Sequence, residues 1–241
     1  MGKIKFHNDI VQGSQEWLEL REGRVTCSNA LTVMNRGKSA CLFDNHQAAV
    51  RLKPNGNAYA ERGHVIEHEF KEKFNETLSD MGLYLDECGF ITNSDYPMAG
   101  YSPDGLIRDL HSNELVSFAE FKAYNDLTNN GTKVSLSCKH RRACRSVMDV
   151  PPECIAQCNM AMIITETDYM YLFLCNPDAD KANNYIQTLK ALAEHGNKEA
   201  AEELKKKIPD GDYDWEIPVT HIHKIFRDEA ICNRIIEGLS R

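Results

Sequence analysis

The sequence predicts an α/β fold: a mixed central sheet flanked by helices, with a cleft at one sheet edge. Three observations carry this. Residues 115–124 (L-V-S-F-A-E-F-K-A-Y) and 169–175 (Y-M-Y-L-F-L-C) are short runs rich in apolar and aromatic side chains, the pattern of strands in a sheet interior. Residues 58–78 repeat their apolar positions at helical spacing instead, and Pro151-Pro152 open a further helix from 153 to about 164. The 241 residues are enough to bury a full core, so a single domain, 1–241, is expected.

Taken in order, Ser14 is a good N-cap for a short helix with Trp17, Leu18 and Leu20 as its apolar contacts, and Gly23 ends it. Thr26 or Ser28 is expected to cap a second helix through Ala30, Leu31 and Met34. Residues 37–57 are polar and read as a loop with a short helix near 47–52. In the helix at 58–78, Val65 or Ile66, Phe70, Phe74 and Leu78 mark the core face, and Gly63 interrupts it. A strand over 85–92 and a turn over 93–97 follow. Pro151 and Pro152 open the helix that runs to about Ile164, with Gln157 a polar residue among apolar ones. Residues 178–208 read as helical with a break at 195–197, residues 216–222 as a strand, and residues 228–239 as a final helix.

The net charge of −8 argues against a wholly basic nucleic-acid binder, though not against an enzyme that gathers its cations in one channel. Residues 126–146 hold Lys139, His140, Arg141, Arg142 and Arg145, which read equally as a solvated loop or as a phosphate-contacting patch. No apolar run approaches the roughly 20 residues of a membrane span, and the first ten residues have no export-signal core. The nine cysteines are therefore expected to be reduced, in the cytoplasm of a host cell. Cys138, Cys144, Cys154 and Cys158 fit no common zinc spacing, and buried free thiols are favoured over an iron–sulfur cluster.

The chemistry concentrates between Met98 and Tyr124. Asp104 sits on a turn between Pro103 and Gly105, and Glu120 and Lys122, two apart on a strand, point to one face. Two carboxylates and an amine at a sheet edge suit metal-assisted phosphodiester cleavage, because hard oxygen ligands hold Mg²⁺ and an amine can orient water. Upstream, Arg21 near a helix end and Ser28 at a helix start are placed to bracket an anion such as phosphate.

Four segments in order resemble the lambda exonuclease or YqaJ-type viral recombinase nucleases of the PD-(D/E)-x-K fold. They are E-W-L-E-L-R-E-G-R-V-T-C-S at 16–28, R-G-H-V-I-E at 62–67, S-P-D-G-L at 102–106 with E-F-K at 120–122, and I-A-Q-C-N-M-A-M at 155–162. The resemblance spans about residues 10–177. It implies a restriction-endonuclease-like sheet and a phage-type, metal-dependent 5′-to-3′ exonuclease. Such an enzyme digests one strand of linear double-stranded DNA and leaves a 3′ single-stranded tail for recombination by annealing. The alternatives are an endonuclease or repair nuclease of the same fold, or a non-catalytic DNA-end-binding subunit.

By that resemblance Asp104, Glu120 and the main-chain carbonyl of Phe121 bind the metal, Mg²⁺ with Mn²⁺ able to substitute, two ions per site. Lys122 positions or activates water, and Glu67 joins the acidic site directly or through water. Arg21, Ser28 and Ser102 hold the terminal 5′-phosphate, with Gln157 nearby and Arg36 as a further DNA contact. The implied partners are DNA ends, two further copies in a homotrimeric ring, and a single-strand annealing protein; no membrane is involved. Three features depart from the family pattern: Asn159 stands where a second Gln is common, Cys154 where an aromatic is, and the hairpin after Asp104 is longer. Residues 178–212 have no counterpart and read as an added helical element.

Overall fold

The computed structural model describes residues 3–43, 70–123, 145–177, 179–209, 211, 213, 214, 216 and 218–241. Contacts divide the chain into two compact units, one of residues 1–121, 152–172 and 224–241, the other of residues 122–151 and 173–223. The architecture is the expected mixed α/β one. The strands are β1 (Ile4–His7), β2 (Val25–Thr26), β3 (Leu83–Asp86), β4 (Phe90–Asn93), β5 (Ala99–Gly100), β6 (Gly105–Asp109), β7 (Leu115–Ala123), β8 (Tyr169–Cys175) and β9 (Thr220–Phe226). Five of them form a sheet in the order β3-β6-β7-β8-β9, while β1 pairs with β4 and β2 with β5. The β6–β7 hairpin is antiparallel, with Gly105 opposite Ala119. That register brings the turn before β6 beside the middle of β7.

The labelled helices are α1 (Gln15–Arg21), α2 (Ala30–Arg36), α3 (Pro152–Thr165), α4 (Ala179–Glu194), α5 (Lys198–Lys207) and α6 (Glu229–Ser240). Ser14 caps α1 by accepting the Trp17 backbone N–H, as expected, and Gly23 past its end takes a φ of +71°. Asp228 caps α6 through the backbone N–H groups of Ala230 and Ile231. In the first unit α3 packs against α2, α6 and the 3₁₀ turn at Cys27–Asn29. Ten of its fourteen residues are buried, which explains why it is apolar on nearly every side. Within this core Asn159 is fully buried. Its amide donates to the Ile155 carbonyl and its oxygen accepts the Asp228 N–H at 2.8 Å, so the residue where the family often has Gln fixes the start of α6.

In the helical stretch 70–80 the expected core face is the buried one: Phe70, Phe74 and Leu78, with Phe74 against the Phe121 ring at 5.3 Å. In the second unit α4 and α5 bury Ala182, Ile186, Leu189 and Leu204 together, with Tyr185, Tyr213 and Val219 against them. They are separated at the expected break, where Asn197 caps α5 through the Ala200 N–H. No helix among the described residues is long and apolar enough to cross a membrane.

Four local expectations are corrected. The strand expected over 85–92 is two strands, β3 and β4, separated at 87–89. Gly89 explains the interruption: a Cβ there would lie 1.9 Å from the Ile10 carbonyl oxygen, so the chain passes where no side chain fits. Residues 38–43, read as loop, are helical. The last strand begins at Thr220 rather than Glu216. Neither Thr26 nor Ser28 makes a side-chain cap to the helix that follows; Thr26 bonds instead to the side chains of Ser28 and Asn29.

Candidate active site

The β6–β7 hairpin carries the two carboxylates. Asp104 immediately precedes β6, and its Oδ2 accepts the backbone N–H of Phe121 at 2.8 Å. That bond pins the Asp104 side chain to β7 one residue beyond Glu120. The turn is held from behind by Gln12, whose amide donates to the carbonyls of Pro103 (2.7 Å) and Cys88 (3.1 Å). Glu120 is 2% exposed, and its Oε1 accepts the side-chain amide of Gln157 on α3. The glutamine singled out in the sequence is half-buried and finds its partner at this carboxylate. Lys122 follows two positions along β7, on the face of Glu120 by strand alternation. Its own carbonyl accepts the buried Cys175 thiol at 3.4 Å.

The negative charge gathered here is felt by its neighbours. Burial, then Glu120 and Asp104, push the Tyr101 hydroxyl well above its ordinary pKa; burial and Glu120 do the same to the Cys27 thiol. Both groups are therefore neutral walls of the site. Asp104 and Glu120 bring hard anionic oxygens to one strand segment, the donor set that a hard divalent cation takes. Among the described residues no three His, Cys, Asp or Glu side chains form a metal-binding group. Glu67, the expected third acid, lies outside those residues, as do Lys139, His140, Arg141, Arg142, Cys138 and Cys144. The seven described cysteines are buried free thiols.

The candidate anion-binding residues sit on the other side of Pro103. Ser102 Oγ accepts the Trp17 indole N–H at 2.9 Å and an Arg21 Nη1–H at 3.2 Å. The Arg21 guanidinium lies over the Trp17 ring, 4.0 Å from its centroid. Burial lowers the Arg21 pKa from its ordinary value, but a guanidinium stays charged. So Arg21 and Ser102, 81 residues apart in sequence, are brought into contact. Ser28 is exposed, and its hydroxyl meets Thr26 Oγ1 at 3.0 Å. β2, which contains Thr26, pairs in parallel with β5, so the Ser28 turn and the Ser102 loop leave the same two-stranded ribbon. Arg36 is exposed in the last turn of α2, about 9 Å of helix from the Ser28 turn.

Two residues were missed as site residues in the sequence. Trp17 reads there as an apolar contact for α1, and Gln12 is not singled out. The available signal was spacing: Trp17 and Arg21 are four apart, neighbours on one helix face.

The chain is similar over 94% of its length to the alkaline exonuclease LHK-Exo of Laribacter hongkongensis, at 21% identity and a TM-score of 0.54, covering 89% of that chain. It is similar to the same enzyme in complex with dAMP at 20% identity and a TM-score of 0.56. At these identities the likeness establishes the fold. No curated protein matches the sequence significantly. Residues 16–168, well over half of the chain and including both the carboxylate hairpin and the Arg21–Ser102 pair, match a family model. The chain therefore belongs to the YqaJ-like viral recombinase domain family.

Proposed function

We propose that the protein is a metal-dependent nuclease that digests one strand of linear double-stranded DNA from the 5′ end, leaving a 3′ tail for strand annealing. The single observation that carries this reading is the Asp104 carboxylate bound to the Phe121 N–H beside buried Glu120, with Lys122 next on the same strand face. Asp104, Glu120 and the Phe121 carbonyl would hold Mg²⁺, two ions with Mn²⁺ able to substitute, which when bound supplies charge for the attacked phosphate and a water of lowered pKa. Gln157 holds Glu120 in place by donating to its Oε1, and keeps that carboxylate an acceptor. Lys122 orients or deprotonates the attacking water, with Glu67 completing the acidic set. Ser28, Arg21 and Ser102 seat the terminal phosphate, which sets the polarity of digestion. A three-copy ring would retain the duplex between cleavages, and a single-strand annealing protein would take the 3′ tail, in the cytoplasm of the host cell.

The test is linear duplex labelled at either terminus, with and without Mg²⁺, carrying 5′-phosphate or 5′-hydroxyl ends. The expected result is Mg²⁺-dependent release of label from the 5′ terminus, faster on phosphorylated ends, with covalently closed circles left intact. Cleavage of the circles, or release from the 3′ terminus first, would overturn the reading.

A further inference from the structure

Ser102 has one hydroxyl proton and two lone pairs. Two N–H groups, from Trp17 at 2.9 Å and Arg21 at 3.2 Å, already point at its oxygen. With both lone pairs engaged, the hydroxyl proton is directed away from Trp17 and Arg21, and Ser102 meets a ligand as a donor. Arg21 offers only donors, and its orientation is fixed by stacking on the same indole. The indole is itself held: its N–H also reaches the Gly89 carbonyl at 3.2 Å, and its helix is capped by Ser14. One aromatic side chain thus controls both the direction of the guanidinium and the hydrogen-bond polarity of the serine.

We propose that Trp17 is the positioning residue that makes the Arg21–Ser102 pocket a donor-only site, selective for a terminal phosphate over a terminal hydroxyl. A phosphate oxygen only accepts and carries charge, so every group in the pocket can serve it. A hydroxyl lacks the charge and uses one of its roles poorly there. Trp17 acts through Arg21 and Ser102 and does not touch the scissile bond. The inference rests on reading this pocket as the seat of the 5′-phosphate.

The test is binding without cleavage. A duplex with a 3′ fluorophore and either a 5′-phosphate or a 5′-hydroxyl is titrated in EDTA, and the ratio of the two dissociation constants is taken. Trp17→Phe keeps a ring under the guanidinium and removes the N–H; it is expected to lower the ratio about 10-fold, the scale of one hydrogen bond in a charged site. Trp17→Leu, which removes the ring as well, is expected to lower it further. Ser102→Ala lowers it too, and Trp17→Phe on that background causes no additional loss, because the two act as one unit. A purely structural defect would weaken both ends by the same factor and leave the ratio unchanged. That result, or losses that multiply in the double variant, would overturn the inference. A wild type that binds both ends equally would overturn it together with the phosphate pocket. A wild type that prefers phosphate but cuts no DNA would leave it standing and overturn only the nuclease reading.

Discussion

Ser102 and Asp104 are separated by a single proline, yet they stand in surroundings of opposite polarity. Asp104 is held by a backbone N–H beside a second, buried carboxylate; burial first, then Glu120, raise the pKa of Tyr101 and Cys27, with Asp104 adding to the effect on Tyr101. Ser102 is approached by an indole N–H and a guanidinium. The first surrounding is built on paired strands, where the β6–β7 register fixes the side chains. The second is built on a seven-residue helix and a loop, where one ring fixes them. One short turn therefore presents acceptors on one side and donors on the other. The proposed nuclease, starting at a phosphorylated end, would use both together.

The largest expected effect lies at the acceptor end. Lys122→Ala should lower the cleavage rate by about 10³-fold while duplex binding largely survives, measured by single-turnover cleavage beside anisotropy. Near-normal turnover in that variant would remove Lys122 from the chemistry. Gln157→Glu places a second carboxylate against buried Glu120 and raises the pKa of the pair. The acid limb of the rate–pH profile should move to higher pH, with a loss of about 10-fold or more near neutrality; an unmoved limb would deny the coupling. At the donor end, Arg21→Ala should cost about 10- to 100-fold in the preference for 5′-phosphorylated over 5′-hydroxyl ends, the range of a hydrogen bond to a charged group. Loss of cleavage on both ends alike would mean that the two surroundings are one unit.

The smallest effect tests the scaffold outside both ends. His7 is buried on β1, bonded through Nε2 to Thr92 Oγ1 at 3.2 Å, and burial followed by the Lys5 charge lowers its pKa from 6.5. The folded state keeps it neutral while the unfolded chain takes up a proton. The unfolded state then binds more protons below about pH 6.5, and stability falls as pH drops from there to the folded pKa. The melting temperature should decline over that window in the wild type and less steeply in His7→Gln; parallel slopes would assign the acid sensitivity elsewhere.

The sequence by itself determined the elements that local chemistry encodes. Ser14 as a cap, the Phe70–Phe74–Leu78 stripe, the apolar strand β8 and the Pro152 start of α3 all follow from periods and caps that act within a few residues. It also placed Asp104, Glu120 and Lys122 on a turn and one strand face, because strand alternation is local. Only the tertiary structure decided the rest. That Gln157 meets Glu120, that Trp17 meets Ser102, and that Gly89 splits a strand to clear Ile10 are contacts between residues 37 to 85 positions apart. Such contacts are set by register and packing across the sheet, and no periodicity of a single segment contains them.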